Sequence, residues 1–305
     1  NNTTISMGEG DNQVSIGGAM SGTTLTAGAG DDTVVLGGDV DASTVALDDG
    51  SNVLEISGGV SSSGISTGAD ADFVQIGSGA GDSIENSSID LGGGADTLVV
   101  NVGEWINSTL TPNDGLDSIQ ISGGLSNAEL SLAEGDNYLS IGGDVVSSTI
   151  TAGSGDDTML FGGAVSNSSV ALGEGANLAV GVTAGAGLYS ATLTSGSGND
   201  SIVFWEGSFN SSVASGAGDD SLHFGSWGPG AGENGGVNVN PSAIDAGEGN
   251  DSLSVVNGVN NTTISMGEGD NQVSIGGSIS GTTLTAGVGD DTVVLGGDVD
   301  ASTVA

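Results

Sequence analysis

The chain has 305 residues, 39 of them acidic, with one histidine and no lysine, arginine or cysteine, so the formal charge is −39 and no Lys or Arg ion pair, disulfide or thiolate site can form. That charge excludes nucleic acid, whose recognition needs cationic side chains over phosphate, and excludes anionic membrane surfaces for the same reason. Fifty-nine glycines beside 36% hydrophobic residues suit either a flexible chain or a packed repeat, and the spacing selects the repeat.

Asn1 to Ala46 recurs as Asn260 to Ala305, offset by 259 residues and altered only at Ala19/Ser278, Met20/Ile279 and Ala29/Val288. Residues 1–259 therefore read as one long repeat and 260–305 as the start of the next copy, and the parent protein is expected to carry many copies in series. Inside it runs a shorter repeat, with turns starting at Gly8, Gly28, Asp48, Gly68, Gly92, Asn113, Ala133, Gly153, Gly173, Gly196, Gly216, Gly247, Gly267 and Gly287, mostly 20 residues apart. Three residues before each start stands an aliphatic residue, from Ile5 and Leu25 to Ile264 and Leu284. Four residues after each start stands Asn12, Asp32, Asn52, Asp72, Asp96, Asp117, Asn137, Asp157, Asn177, Asp200, Asp220, Asp251, Asn271 or Asp291. Apolar pairs follow at six and eight residues, such as Val14/Ile16, Val34/Leu36 and Ile202/Phe204, the alternation of a half-buried strand. A Gly-Gly step often comes next, then one more apolar residue such as Val40, Val60 or Leu125.

Each unit reads as strand, acidic glycine turn, strand, polar turn. Two short strands and two turns consume ~20 residues in one circuit at about 3.3 Å per residue. One circuit cannot bury its apolar row alone, whereas circuits stacked ~4.8 Å apart form continuous aliphatic ladders. The expected fold is all-β, a right-handed parallel β-roll or β-solenoid with two strands per coil and about 14 coils, running as a single segment through residues 1–305.

The run Ala27-Gly28-Ala29-Gly30-Asp31-Asp32-Thr33-Val34-Val35 fits the nonapeptide G-G-x-G-x-D-x-U-x at all but its first position. Ala152–Leu160, Ser195–Val203, Ser215–His223, Ala246–Ser254 and Ala286–Val294 match again. At these residues the sequence resembles the RTX, or haemolysin-type, calcium-binding repeats. The glycines permit φ > 0 and turn carbonyls inward, while the aspartate brings a carboxylate, so oxygens converge on a hard cation. The resemblance implies several Ca2+ ions along one edge, shared between stacked turns. Their carboxylates would come from Asp32, Asp157, Asp200, Asp220, Asp251 and Asp291, and their carbonyls from Gly28, Gly30, Gly153, Gly155, Gly196, Gly198, Gly216, Gly218, Gly247, Gly249, Gly287 and Gly289. Asp72, Asp96 and Asp117 hold the same turn position, and the acids one residue earlier, Asp31, Asp136, Asp156, Asp219, Asp270 and Asp290, complete the candidate set.

The family carries its nonapeptide twice per coil, whereas here the opposite turn mostly lacks it, so calcium is expected on one edge only. Asn replaces Asp at five of the fourteen key positions and Ser51, Ala71, Ala95 and Ala176 replace the preceding acid, so occupancy should be uneven. The competing reading is a metal-free row of Asx turns. Against it, carboxylates repeated every ~4.8 Å repel by about 1 kcal/mol per pair even in water.

His223 is the single histidine, and without Cys, Lys or Arg no triad, zinc site or phosphate clamp can be assembled, so no enzymatic activity is expected. Asn-x-Ser/Thr sequons begin at Asn2, Asn86, Asn107, Asn167, Asn210 and Asn261, and Thr-x-Thr pairs such as Thr24/Thr26 and Thr149/Thr151 form a polar row interrupted by Gly64, Asp90, Glu129 and Ala243. The coils from Gly68, Gly173 and Gly216 are longer and should bulge, the last through Trp227-Gly228-Pro229. Trp105 and Trp205 lie beside these irregular units, as exposed lateral contacts or as packing under a loop. After Gly173, Leu178, Val180 and Val182 compete with Ala179 and Gly181 for the interior.

The expected function is structural: a calcium-binding repeat segment of a secreted extracellular filament or cell-surface layer, partnered by other copies of itself, with cell-surface polysaccharide as a second partner class. It would stay unfolded at low cytoplasmic calcium and fold outside the cell. The alternative is a surface adhesin or ice-binding module that uses a flat solenoid face.

Overall fold

The computed structural model describes residues 3–78, 81–225 and 237–305, in which every regular element is a short β-strand. The strands lie in parallel sheets, and the chain coils as a β-solenoid of about 14 turns. Two compact units divide it: residues up to Gly143 with Ser147–Ser154, and Asp144–Val146 with Gly155–Ala305. The Asn2 sequon and Trp227-Gly228-Pro229 lie outside the described residues.

Each coil carries three strands rather than the expected two. In the second coil these are Thr23–Thr26, Thr33–Leu36 and Val40–Asp41. The third strand falls within the stretch read as a polar turn. With only two or three residues it contributes one inward side chain, too short a run for alternation to register.

In the first unit, Ile5, Leu25, Val45, Ile65, Ile89, Leu110, Leu130 and Ile150 pair in register along the first sheet. The second sheet turns two residues per coil inward, such as Val34 and Leu36 over Leu54 and Ile56. The third adds one, running through Val60, Ile84, Trp105 and Leu125. Trp105 is fully buried here, which decides for packing and against an exposed lateral contact. The coil from Gly92 places it where its neighbours carry aliphatics, and burial of so large a side chain outweighs any surface role.

The second unit repeats the arrangement, with Val170, Leu193, Val213, Ile244, Ile264 and Leu284 in one column. Its coils beyond residue 259 continue the register of those before, as Ile244 pairs with Ile264, Leu253 with Val273 and Val259 with Ile279. The ambiguity after Gly173 resolves in favour of the small residues. Ala179 and Gly181 face inward, and Val182 is half exposed. The turn pins the phase of the strand, and Gly181 leaves room for Phe161 and Phe204 from the coils on either side, whose rings stack 6.0 Å apart. The extra residues of this coil form a tight turn in which the Ala186 N–H donates to the Thr183 carbonyl at 3.1 Å. Trp205 remains partly exposed, its ring edge-on to His223.

The corner between the third sheet and the next first-sheet strand holds a buried hydroxyl ladder. The N–H groups of Thr23, Ser43, Ser63 and Ser87 donate to Oγ of Ser43, Ser63, Ser87 and Ser108 one coil further on, at 2.9–3.1 Å. Each of these four serine hydroxyls donates in turn to the carbonyl two residues back, at 2.7–2.8 Å. The residue before each ladder serine is left-handed, as at Ala42, Ser62, Asn86 and Asn107. Asn tolerates that conformation better than most residues. The sequons at Asn86, Asn107, Asn167, Asn210 and Asn261 all fall at this exposed position.

Candidate cation sites along the acidic corner

The turn between the first and second sheets brings the Asp/Asn position of every coil to the inner side of the corner. Asp32, Asp72, Asp96, Asp117, Asp157, Asp200, Asp220 and Asp251 are buried, as are Asn52, Asn137, Asn177 and Asn271. Gly30 shows why the turn needs glycine: its φ is +137°, and a Cβ there would lie 2.5 Å from the Gly10 carbonyl carbon of the coil below. No L side chain fits that approach.

Along this row, Oδ1 of the inner Asp or Asn accepts the main-chain N–H of its counterpart one coil earlier. Asn12 N–H donates to Asp32 at 2.8 Å, Asp32 to Asn52 at 3.0 Å, Asn52 to Asp72 at 2.7 Å, Asp72 to Asp96 at 2.8 Å and Asp96 to Asp117 at 2.9 Å. In the second unit, Asn177 N–H donates to Asp200, Asp200 to Asp220, Asp220 to Asp251 and Asp251 to Asn271, at 2.8–2.9 Å. Asp and Asn are thus interchangeable in their first oxygen.

The second atom separates them. Nδ2 of Asn52 donates to the carbonyls of Asp48, Gly50 and, from the next coil, Thr67, at 2.9–3.0 Å. Asn177 Nδ2 reaches Gly173 and Gly175, and Asn271 Nδ2 reaches Gly269 and Ala286. The corner therefore holds a cradle of two or three carbonyl oxygens that takes a donor. In the aspartate coils the same place is held by Oδ2, which has nothing to donate. Oδ2 of Asp32, Asp72, Asp96, Asp117, Asp200, Asp220 and Asp251 is buried with no hydrogen-bond partner. Such an oxygen beside carbonyls is costly unless a cation or a proton joins them.

Burial raises the carboxyl pKa of this row: Asp72, Asp117, Asp220 and Asp251 are pushed up to about 6 and Asp96, which also feels Asp117 and Asp72, to about 7. Asp200 shifts the same way. The N–H bonds from the preceding coil oppose the rise without cancelling it. Thr67, Ser195 and Ser215 bring hydroxyls into the corner and donate to Leu91, Ser215 and Ala246 carbonyls at 2.7–3.0 Å. These hydroxyls lie two residues beyond the first-sheet aliphatic, a period-two relation legible in the sequence yet absent from the expected site.

The acids one residue earlier lie on the outside. Asp31, Asp136, Asp156, Asp219, Asp270 and Asp290 are exposed, and most accept the N–H of the coil after them through Oδ1, as Asp31 does from Ser51, Asp156 from Ala176 and Asp270 from Asp290 at 2.7–2.9 Å. Two ladders of opposite sense therefore run along one corner, and only the inner one meets the carbonyl cradle. Gly28, Gly153, Gly196, Gly216, Gly247 and Gly287 stand at the first carbonyl position of that cradle, and Gly30, Gly155, Gly198, Gly218, Gly249 and Gly289 at the second, by equivalence with Asp48/Gly50 and Gly173/Gly175. Among the described residues no group of three or more Asp, Glu or His side chains converges. A cation here would take one carboxylate per coil and most of its oxygens from the main chain, an all-oxygen set suited to a hard ion.

Together these features define a parallel β-solenoid with an internal Asx ladder at one corner and a serine ladder at another. No protein-family model and no curated protein matches the chain. Among solved structures it is similar to the crystal structure of a TibA fragment hyper-glycosylated by TibC, at 18% identity over 98% of this chain and 99% of that one, with a TM-score of 0.35.

Proposed function

We propose that the chain is a structural, calcium-binding repeat segment of a secreted protein that forms an extracellular filament or cell-surface layer. The observation that carries this reading is the row of buried aspartate oxygens set against carbonyls, in a chain with no lysine or arginine to neutralise them. Calcium held by Asp32, Asp72, Asp96, Asp117, Asp157, Asp200, Asp220, Asp251 and Asp291 with the glycine carbonyls would supply the missing positive charge and tie successive coils. Asp31, Asp136, Asp156, Asp219, Asp270 and Asp290 on the outer row would add to the local negative potential that draws the ion in.

A structural role is supported by the join near residue 259, where the next copy stacks in unchanged register. Tandem copies could follow one another without a linker. Partners are then other copies, with cell-surface polysaccharide as a further class. The test is far-UV circular dichroism of the chain in chelator titrated with calcium, with magnesium and sodium at matched ionic strength. A cooperative, calcium-specific gain of β structure is expected. Full β structure in chelator would overturn the reading and favour a binding module built on the hydroxyl-rich outer face of the first sheet.

A further inference from the structure

Five coils carry Asn at the inner corner position, at Asn12, Asn52, Asn137, Asn177 and Asn271, and nine carry Asp. In both kinds Oδ1 makes the same bond to the preceding coil. The difference is confined to the second atom, an amide nitrogen in one and, at Asp32, Asp72, Asp96, Asp117, Asp200, Asp220 and Asp251, a buried carboxylate oxygen with no hydrogen-bond partner in the other. In the asparagine coils the nitrogen already satisfies the cradle, through three carbonyls at Asn52 and two at Asn177 and Asn271. A cation placed there would find those lone pairs engaged and no charge to balance.

We infer that the asparagines are built-in replacements for the cation, so that each Asn coil is closed by its own side chain and each Asp coil requires an ion. This rests on the cation reading of the aspartate coils proposed above. The ratio of Asn to Asp then sets how much calcium a long repeat takes up and the concentration at which it folds. The positions interleave: Asn52 lies between Asp32 and Asp72, Asn177 between Asp157 and Asp200, and Asn271 between Asp251 and Asp291. Metal-independent rungs therefore divide the metal-dependent ones into short groups, of which Asp72, Asp96 and Asp117 form one unbroken run and Asp200, Asp220 and Asp251 another.

The test compares the 305-residue chain with Asp96→Asn, Asp220→Asn and Asn177→Asp by equilibrium dialysis against radioactive calcium and by circular dichroism along a calcium titration. Each Asp→Asn change is expected to remove bound calcium and to lower the calcium concentration at the folding midpoint. Asn177→Asp is expected to add bound calcium and to raise that midpoint. Uptake that falls in Asp96→Asn and Asp220→Asn but does not rise in Asn177→Asp would overturn the inference while leaving the cation reading intact, and uptake that the Asp→Asn variants leave undiminished would remove both, since the ions would then sit elsewhere. No uptake by the unaltered chain would remove both. A folding midpoint that rises in Asp96→Asn and Asp220→Asn would also count against it, and because Asn already stands in five coils, neither change asks the turn for a new shape.

Discussion

Ser63→Ala is expected to weaken the serine corner by a definite amount at a definite place. Ser63 is 6% exposed; its hydroxyl accepts the Ser43 N–H at 3.0 Å and donates to the Ser61 carbonyl at 2.7 Å. Alanine keeps the backbone and removes both bonds, leaving the Ser43 N–H buried without that acceptor, a cost of ~1–3 kcal/mol. Amide exchange of Ser43 by local opening should accelerate by about 10–100-fold, since 1.4 kcal/mol is a factor of ten. Ala128 offers the reverse change. It already donates its own N–H to Ser148 Oγ at 3.1 Å, so Ala128→Ser should return a hydroxyl to the ladder, stabilising by ~0.5–1.5 kcal/mol and slowing exchange of the Ser108 amide. Hydrogen exchange in saturating calcium, read by residue, separates this corner from the acidic one. Unchanged exchange at Ser43 in Ser63→Ala, or a loss of stability in Ala128→Ser, would refute the idea that the hydroxyls stabilise the corner.

Three further outcomes are expected. In chelator, protons stand in for the cation: carboxyls whose folded pKa is raised to about 6 or 7 bind more protons folded than unfolded, so the chain should be best folded at about pH 4 and lose β structure as pH rises through about 7; β structure that grows with pH in that window contradicts this, and Asp96→Asn should flatten its upper part. Gly115→Ala would place a Cβ 1.5 Å from the Gly94 carbonyl oxygen, whereas Gly64→Ala meets nothing within 4 Å, so urea denaturation should show a loss near the top of ~1–3 kcal/mol for the first and little change for the second. Gly181→Val would bring its Cβ 2.8 Å from Ala186 Cβ and its carbonyl oxygen, and 3.0 Å from Phe204 Cδ1; a thermal-melt loss of ~1–3 kcal/mol is expected, with Phe204→Leu restoring part of it, and an unaltered melt would show that the Phe161–Phe204 pair does not depend on the gap.

The coil and its inward positions were legible in the sequence because both are periodic. Leu25, Asp32, Val34, Leu36 and Val40 recur at fixed intervals from the turn, and alternation assigns each to the inside without knowledge of its neighbours. The same logic placed Asp32 and its equivalents in one row. What lay beyond it depended on atoms from adjacent coils. Val40–Asp41 became a strand because a matching pair stacks on either side, and Ser43 became a ladder residue through an N–H 20 residues away. Gly181 faced inward, against the pull of Leu178 and Val180, because two phenylalanines from neighbouring coils needed the space. Composition and spacing determine that this chain coils and where its acids line up. Only the stacked structure decides which oxygen of each acid is engaged by the coil before it and which is left facing carbonyls, because that division is made by hydrogen bonds between coils, which no single repeat contains.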